Sequence, residues 1–180
     1  FKISVEPLEE SVLKAFDEGT ITDKTKGKDL IERLVKAGLP RDESRDVLSM
    51  YNKNIFVDAS KGVQFILEIK ETIIDGFKEA MRAGPLAKEK CVGVKVLLHD
   101  ATIHVDPVHR GPAQIIPSIK RPIYAGMLQS KPILLEPKQK LFISAPQDYM
   151  SSIIHEIQSR RGQILEIQQE GNANAISAKV

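Results

Sequence analysis

Two histidines, an aspartate and an arginine fall within seven residues: His104, Asp106, His109 and Arg110. An imidazole can take or give a proton near neutral pH, ligate a metal, or be the target of chemistry itself. His104 and Asp106 stand two apart on an expected strand, so they share a face. His109 follows where Asp106-Pro107 and Gly111-Pro112 mark a surface reversal. A zinc site needs three or four ligands, and only His104, Asp106 and His109 are local candidates. His99 lies on the opposite strand parity unless a bulge realigns it. No metal ligand is therefore assigned. A hydrolytic triad needs a serine or cysteine nucleophile beside the histidine, and none is near in sequence, so no catalytic residue is assigned.

The remaining chemistry is contact with an anion. The net charge of +2 is uneven along the chain. Residues 1–100 carry 17 basic and 18 acidic side chains, residues 101–140 carry 6 and 2, and residues 141–180 carry 3 and 4. The positive excess of the middle stretch would bring Arg110, Lys120 and Arg121 near a polyanion. Charge alone leaves a solvated basic face equally open.

The elements that must hold this stretch are legible from periodicity. Helical patterns run over 9–18 and 28–37, closed by Gly19 and by Gly38 with Pro40. A third short helix is expected over 42–50 and a brief strand over 54–58. Ile66, Ile69, Ile73, Phe77, Ala80 and Met81 form one apolar stripe, predicting a long core helix over 63–83 that ends at Gly84-Pro85. Val92, Val94, Val96 and Leu98 alternate with Gly93, Lys95, Leu97 and His99, which predicts a strand. The parity then flips to Ala101, Ile103 and Val105, predicting a bulge or break near His99-Asp100. Ile103 and Val105 before the tip, and Ile115 and Ile116 after it, are expected to anchor its stems in the core. A helical stretch through Ile116, Ile119, Ile123 and Met127 follows. Pro117 suits its first turn, and Pro122 should kink it.

Lys131-Pro132 to Glu136-Pro137 reads as a linker, which sets domains of 1–137 and 138–180. The second reads as strand 140–144, helix 149–161, strand 163–170, a turn at Gly171-Asn172 and strand 175–180. That βαββ order is the first two-thirds of a ferredoxin-like unit, with an open edge and a mobile end expected. The fold class is α+β.

The tip carries a longer pattern. The run Ile103-His104-Val105-Asp106-Pro107-Val108-His109-Arg110-Gly111-Pro112-Ala113-Gln114-Ile115-Ile116-Pro117 resembles the domain IV tip of the elongation factor 2 family of archaeal and eukaryotic ribosomal translocases. Its Arg110-Gly111-Pro112-Ala113-Gln114 form is similar to archaeal members. Lys61-Gly62-Val63-Gln64-Phe65 with Glu68-Ile69-Lys70, then Ala83-Gly84-Pro85-Leu86, and finally Arg160-Arg161-Gly162, extend the likeness over nearly the whole chain. The resemblance implies a domain like ribosomal protein S5 domain 2, followed by a truncated ferredoxin-like domain V. It implies that His109 is converted to diphthamide and is the residue ADP-ribosylated by diphtheria toxin. His104, Asp106, Arg110 and Gly111 would lie on the same RNA-facing tip, with Lys120 and Arg121 behind.

The implied role is to hold the tRNA–mRNA helix at the decoding centre during translocation. The implied partners are the ribosome with its rRNA and the diphthamide biosynthesis enzymes. GTP and magnesium would belong to a G domain whose P-loop pattern this sequence lacks, so the stretch itself is not expected to be an enzyme. A monomeric, cytoplasmic protein is implied, with no membrane partner. Two alternatives stand beside this one. One is a paralogous GTPase of ribosome biogenesis or splicing, whose relatives generally lack the full tip. The other is a stand-alone RNA-binding module.

Composition agrees with a globular chain: 42% of residues are apolar and 28% charged, and no apolar run is long enough for a membrane helix. The single cysteine, Cys91, excludes an internal disulfide and fits a reducing compartment; it reads as a half-buried residue at a strand entry. A start on Phe1 and a stop in a strand-like pattern at Val180 suggest a piece of a longer protein.

Overall fold

The computed structural model describes residues 1–170 and 173–180; the expected turn at Gly171-Asn172 lies outside them. The chain divides into two compact units, Phe1–Leu134 and Leu135–Val180.

In the first unit the strands are β1 (Lys2–Pro7), β2 (Val47–Tyr51), β3 (Asn54–Asp58) and β4 (Val94–Asp100), in the sheet order β1-β4-β3-β2. β1 and β4 are antiparallel, β4 and β3 parallel, and β3 and β2 antiparallel. A parallel pair needs a crossover, and helix α4 (Lys70–Arg82) lies in the β3-to-β4 connection. Strands buried on both faces read as near-continuous apolar runs. Ile55 and Val57 of β3 and Leu97 of β4 pack with α1 (Glu10–Asp17) and α2 (Gly27–Lys36) through Val12, Phe16, Leu30 and Leu34. Phe56, Val96 and Leu98 face the other way, onto Ile73 and Phe77 of α4 and Ile119 and Ile123 of α5 (Pro112–Gln129). Glycines let these layers approach. A Cβ on Gly76 would stand 3.0 Å from the Ile119 Cβ, and one on Gly126 would stand 2.7 Å from a methyl of Val5.

The second unit has β5 (Lys140–Pro146), α6 (Met150–Ser159), β6 (Gln163–Glu170) and β7 (Ala173–Lys179). Its all-antiparallel sheet runs β5-β7-β6, so the last strand inserts between the first two. Met150, Ile157, Ile176 and Ala178 form its buried core. The chain is α+β, with a βαββ second unit.

Five expectations need correction. The third helix spans only Arg41–Arg45 (α3), because Val47–Tyr51 pairs with β3 as a hairpin strand. The long helix is shorter than its stripe: Phe65 takes a left-handed conformation (φ 63°), Ile66–Ile69 forms a 3₁₀ turn, and the α-helix begins at Lys70. No strand forms over 101–106, where β4 has already ended. α5 starts at Pro112, which makes Pro112 rather than Pro117 the first-turn proline; Pro117 and Pro122 both sit inside one unbroken helix. The break near His99 is present as a register shift, with Lys2 opposite Asp100 but Ile3 opposite Leu98. Cys91 is more buried than expected, at 8% exposure, and burial pushes its thiol pKa up.

Candidate functional site

The tip is a short loop between β4 and α5, tied down at both ends. β4 closes on an exposed Lys2–Asp100 ion pair (2.8 Å), and the bulged His99 is engaged by Ser4, with 2.7 Å between Nε2 and Oγ. Beyond it Ile103 packs on the α4–α5 core, while Val105 is 74% exposed. Val105 therefore does not anchor the stem as expected. On the far side Ile115 is buried and Ile116 half-buried.

Between these stems, Pro107–Arg110 makes one 3₁₀ turn. Asp106 starts it, its Oδ1 accepting the Val108 N–H at 3.0 Å, with Pro107 supplying a pre-set φ at the first position. The His109 N–H donates to the Asp106 carbonyl (3.1 Å), which closes the turn. The Asp106 N–H in turn donates to Nδ1 of His104 at 3.0 Å. A nitrogen that accepts cannot carry the proton, so the neutral His104 ring is protonated at Nε2. The rings of His104 and His109 meet edge to face, with centroids 4.5 Å apart and planes at 72°. Both residues are exposed. His104, Asp106 and His109 are thus brought together as neighbours on one turn.

Arg110 departs from the sequence reading. It is not an outward-facing cation: it is 9% exposed. Nε donates to the His104 carbonyl at 2.7 Å, Nη2 donates to the Val105 carbonyl, and Nη1 pairs with Glu68. The guanidinium lies 3.7 Å from the centre of the Phe65 ring. A planar fork of donors suits carbonyls that a bend in the chain leaves without strand partners. Sequence reasoning missed this because the partners, Phe65 and Glu68, stand more than forty positions away; the signal was an aromatic just ahead of the long apolar stripe and a glutamate in its first turn.

Gly111 caps α5 at φ −72°, a conformation open to any residue; its carbonyl accepts the Gln114 and Ile115 N–H groups. Lys120 is half-buried, 3.7 Å from Glu79 and 5.6 Å from the Tyr124 ring centre, while Arg121 is exposed. Among the described residues no group of three or more His, Cys, Asp or Glu side chains is placed to hold a metal ion, and no helix is long and apolar enough to cross a membrane.

The unit therefore displays an exposed imidazole at the head of a turn fixed on both sides. Residues 8–131 match the family model for elongation factor G, domain IV, and residues 133–180 match that for the elongation factor G C-terminus. The chain belongs to the elongation factor G domain IV family and runs on into the C-terminal family. At the level of particular proteins, it is 50% identical over 179 residues to elongation factor 2 of Archaeoglobus fulgidus, covering 99% of this chain and 25% of that one. Similar relatives are elongation factor 2 of Methanopyrus kandleri, 50% identical (99% and 14% covered), and of Methanosphaera stadtmanae, 45% identical (100% and 25%). The chain spans about a quarter of the length of these relatives, or less.

Proposed function

We propose that this chain is the part of a GTP-dependent ribosomal translocase that reaches the tRNA–mRNA helix at the decoding centre, with His109 as its diphthamide residue and the target of toxin ADP-ribosylation. One observation carries the reading: in a chain of this family, His109 is an exposed imidazole at the head of a turn that Asp106 caps on one side and Arg110 ties on the other. A modifying enzyme and a toxin must both reach the ring, and a decoding helix must accept it without first paying to order a floppy loop.

In this reading His104 and Asp106 shape the His109 surroundings, Gly111 leads the loop into α5, and Arg121 with Lys120 supplies the phosphate-facing charge. Arg110 acts inside the tip rather than on RNA. The domains of this reading are 1–137 and 138–180, a boundary three residues beyond the point where the chain passes from one compact unit to the other, after Leu134. The partners are rRNA, tRNA and mRNA on the ribosome and the diphthamide enzymes. GTP and magnesium belong to a domain outside this chain, and the factor works as a cytoplasmic monomer.

The test is direct. The chain is expressed in an archaeal host and the peptide spanning His109 is weighed. A mass gain confined to His109, and ADP-ribose incorporation that disappears in His109→Ala, are expected. An unmodified His109 that also resists the toxin sinks the proposal.

A further inference from the structure

The connection before α4, which packs against the tip through Arg110, contains a strained residue that its own loop does not explain. Phe65 is a bulky side chain held at φ 63°, ψ 5°, in the left-handed region that such residues rarely enter. Strain of this kind persists only where the surroundings over-determine it. The surroundings here are Arg110. The left-handed kink turns the chain into the Ile66–Ile69 turn, which puts the Phe65 ring under the guanidinium and Glu68 beside it. Stacking on an aromatic face leaves the edge of the guanidinium free, and the edge is where all its donors lie. Those donors reach the carbonyls of His104 and Val105, the two residues that lead into the His109 turn.

We propose that Arg110, held between Phe65 and Glu68, is a positioning residue that sets the direction in which the His109 ring is presented. The inference rests on His109 being the functional residue of the tip, and it adds how the ring is aimed. His109 is bonded to Arg110 through the chain, and its ring lies against His104, whose carbonyl Arg110 holds. The ring's neighbour His104 is thus held through its carbonyl by the guanidinium of the residue that follows His109 in the chain. The clamp also joins two loops far apart in sequence, so the 65–68 turn acts on His109 without touching it. Glu68 balances the charge at the base of the tip. Lysine in place of Arg110 keeps the charge but has no planar fork to hold two carbonyls and stack at once.

The experiment uses Arg110→Lys, Phe65→Leu and Glu68→Gln in the whole chain. Two readouts are taken: the ring-to-ring nuclear Overhauser effect between His104 and His109, and the fraction of His109 modified in an archaeal host. The amide spectrum outside residues 65–69 and 100–112 serves as the folding control. The expected result is loss of the ring-to-ring signal and an at least fivefold fall in modification for Arg110→Lys and Phe65→Leu, with a smaller fall for Glu68→Gln and an unchanged control. If Arg110→Lys fails to fold, Phe65→Leu decides, since it removes the stacking face and leaves every donor in place. Retained ring contact and wild-type modification in the folded variants would overturn the proposal. An unmodified parent chain whose variants still lose the ring contact would leave the clamp standing and defeat the functional reading instead.

Discussion

At the scale of single residues, the chain places two polar side chains in opposite surroundings. His109 is exposed, and its backbone alone closes the turn. His109→Ala should therefore leave unfolding free energy within about 0.5 kcal/mol of the parent in urea titration, while abolishing the modification proposed for it. Lys95 is the opposite case. It sits mid-strand at 4% exposure, with Nζ 2.8 Å from Glu9, 3.0 Å from Glu43 and 3.5 Å from Glu6. Lys95→Met would leave these carboxylates facing one another and should cost about 1–3 kcal/mol at neutral pH, less than a fully buried pair broken from one side because the carboxylates are partly exposed to water. Burial works against the ammonium, but its hydrogen bonds to Glu9 and Glu43 outweigh that and hold the pKa above the ordinary lysine value. A raised folded pKa means the contribution is complete below the unfolded lysine pKa of about 10.4 and is lost as pH climbs through the folded value. From neutral pH the stability gap between parent and Lys95→Met should thus be flat up to about pH 10 and shrink above it. A gap that instead widened at alkaline pH would contradict the ion cluster.

At the scale of elements, packing decides what periodicity leaves open. Gly76 on α4 faces Ile119 on α5, and an added Cβ would meet the Ile119 Cβ at 3.0 Å and the Ile116 carbonyl at 3.3 Å. Neither neighbour is the loose end of a flexible chain. Gly76→Ala should gain about 1 kcal/mol of helix propensity yet lose more, since over-packing costs about 1–3 kcal/mol. Thermal melting should register a lower midpoint. The same contact explains why Pro117 and Pro122 do not break α5: the stripe Ile115, Ile119, Ile123 and Met127 is buried along its whole length, and that burial outweighs the missing backbone bonds. The stripe was legible in sequence except at its start, where Ile116 was expected and Ile115 is the buried residue, and β3, α1, α2 and the bulge at His99 were legible too. What escaped was governed by partners remote along the chain. Val47–Tyr51 carries no helix-breaking residue, and only pairing with β3 makes it a strand. Ile103 and Val105 alternate as a strand should, but past Asp100 no strand pairs with them. The exposed His104–Asp106–His109 set was readable from turn residues. The burial of Arg110 was not, because it depends on a kink at Phe65 that no periodicity announces.

At the scale of the whole molecule, the two units differ in how much core they own. The first buries two clusters, one on each face of its sheet, anchored by Phe56, Phe77 and Ile119 on one side and Val12, Phe16 and Leu34 on the other. The second buries Met150, Ile157, Ile176 and Ala178 among the described residues, with Leu141, Ile143, Ile153, Ile164 and Val180 only partly covered. A groove of about 760 Å³ opens along Leu141, Ile143, Ile153 and Val180. Its sheet also leaves Phe142 79% exposed on the outer face. Folding cost scales with residues ordered, about 1–2 kcal/mol each for the backbone alone, whereas the compensating burial scales with core. A small unit with one thin core is therefore the less stable of the two. Native-state hydrogen exchange should report it: amides of β5, β6 and β7 should open at a free energy at least about 2 kcal/mol below those of β3 and β4. Urea should melt the second unit first, with the amides around Phe56 and Leu98 still protected. Equal opening free energies in both sheets would mean that the two units unfold as one, and that the smaller core is not the limit on its own stability.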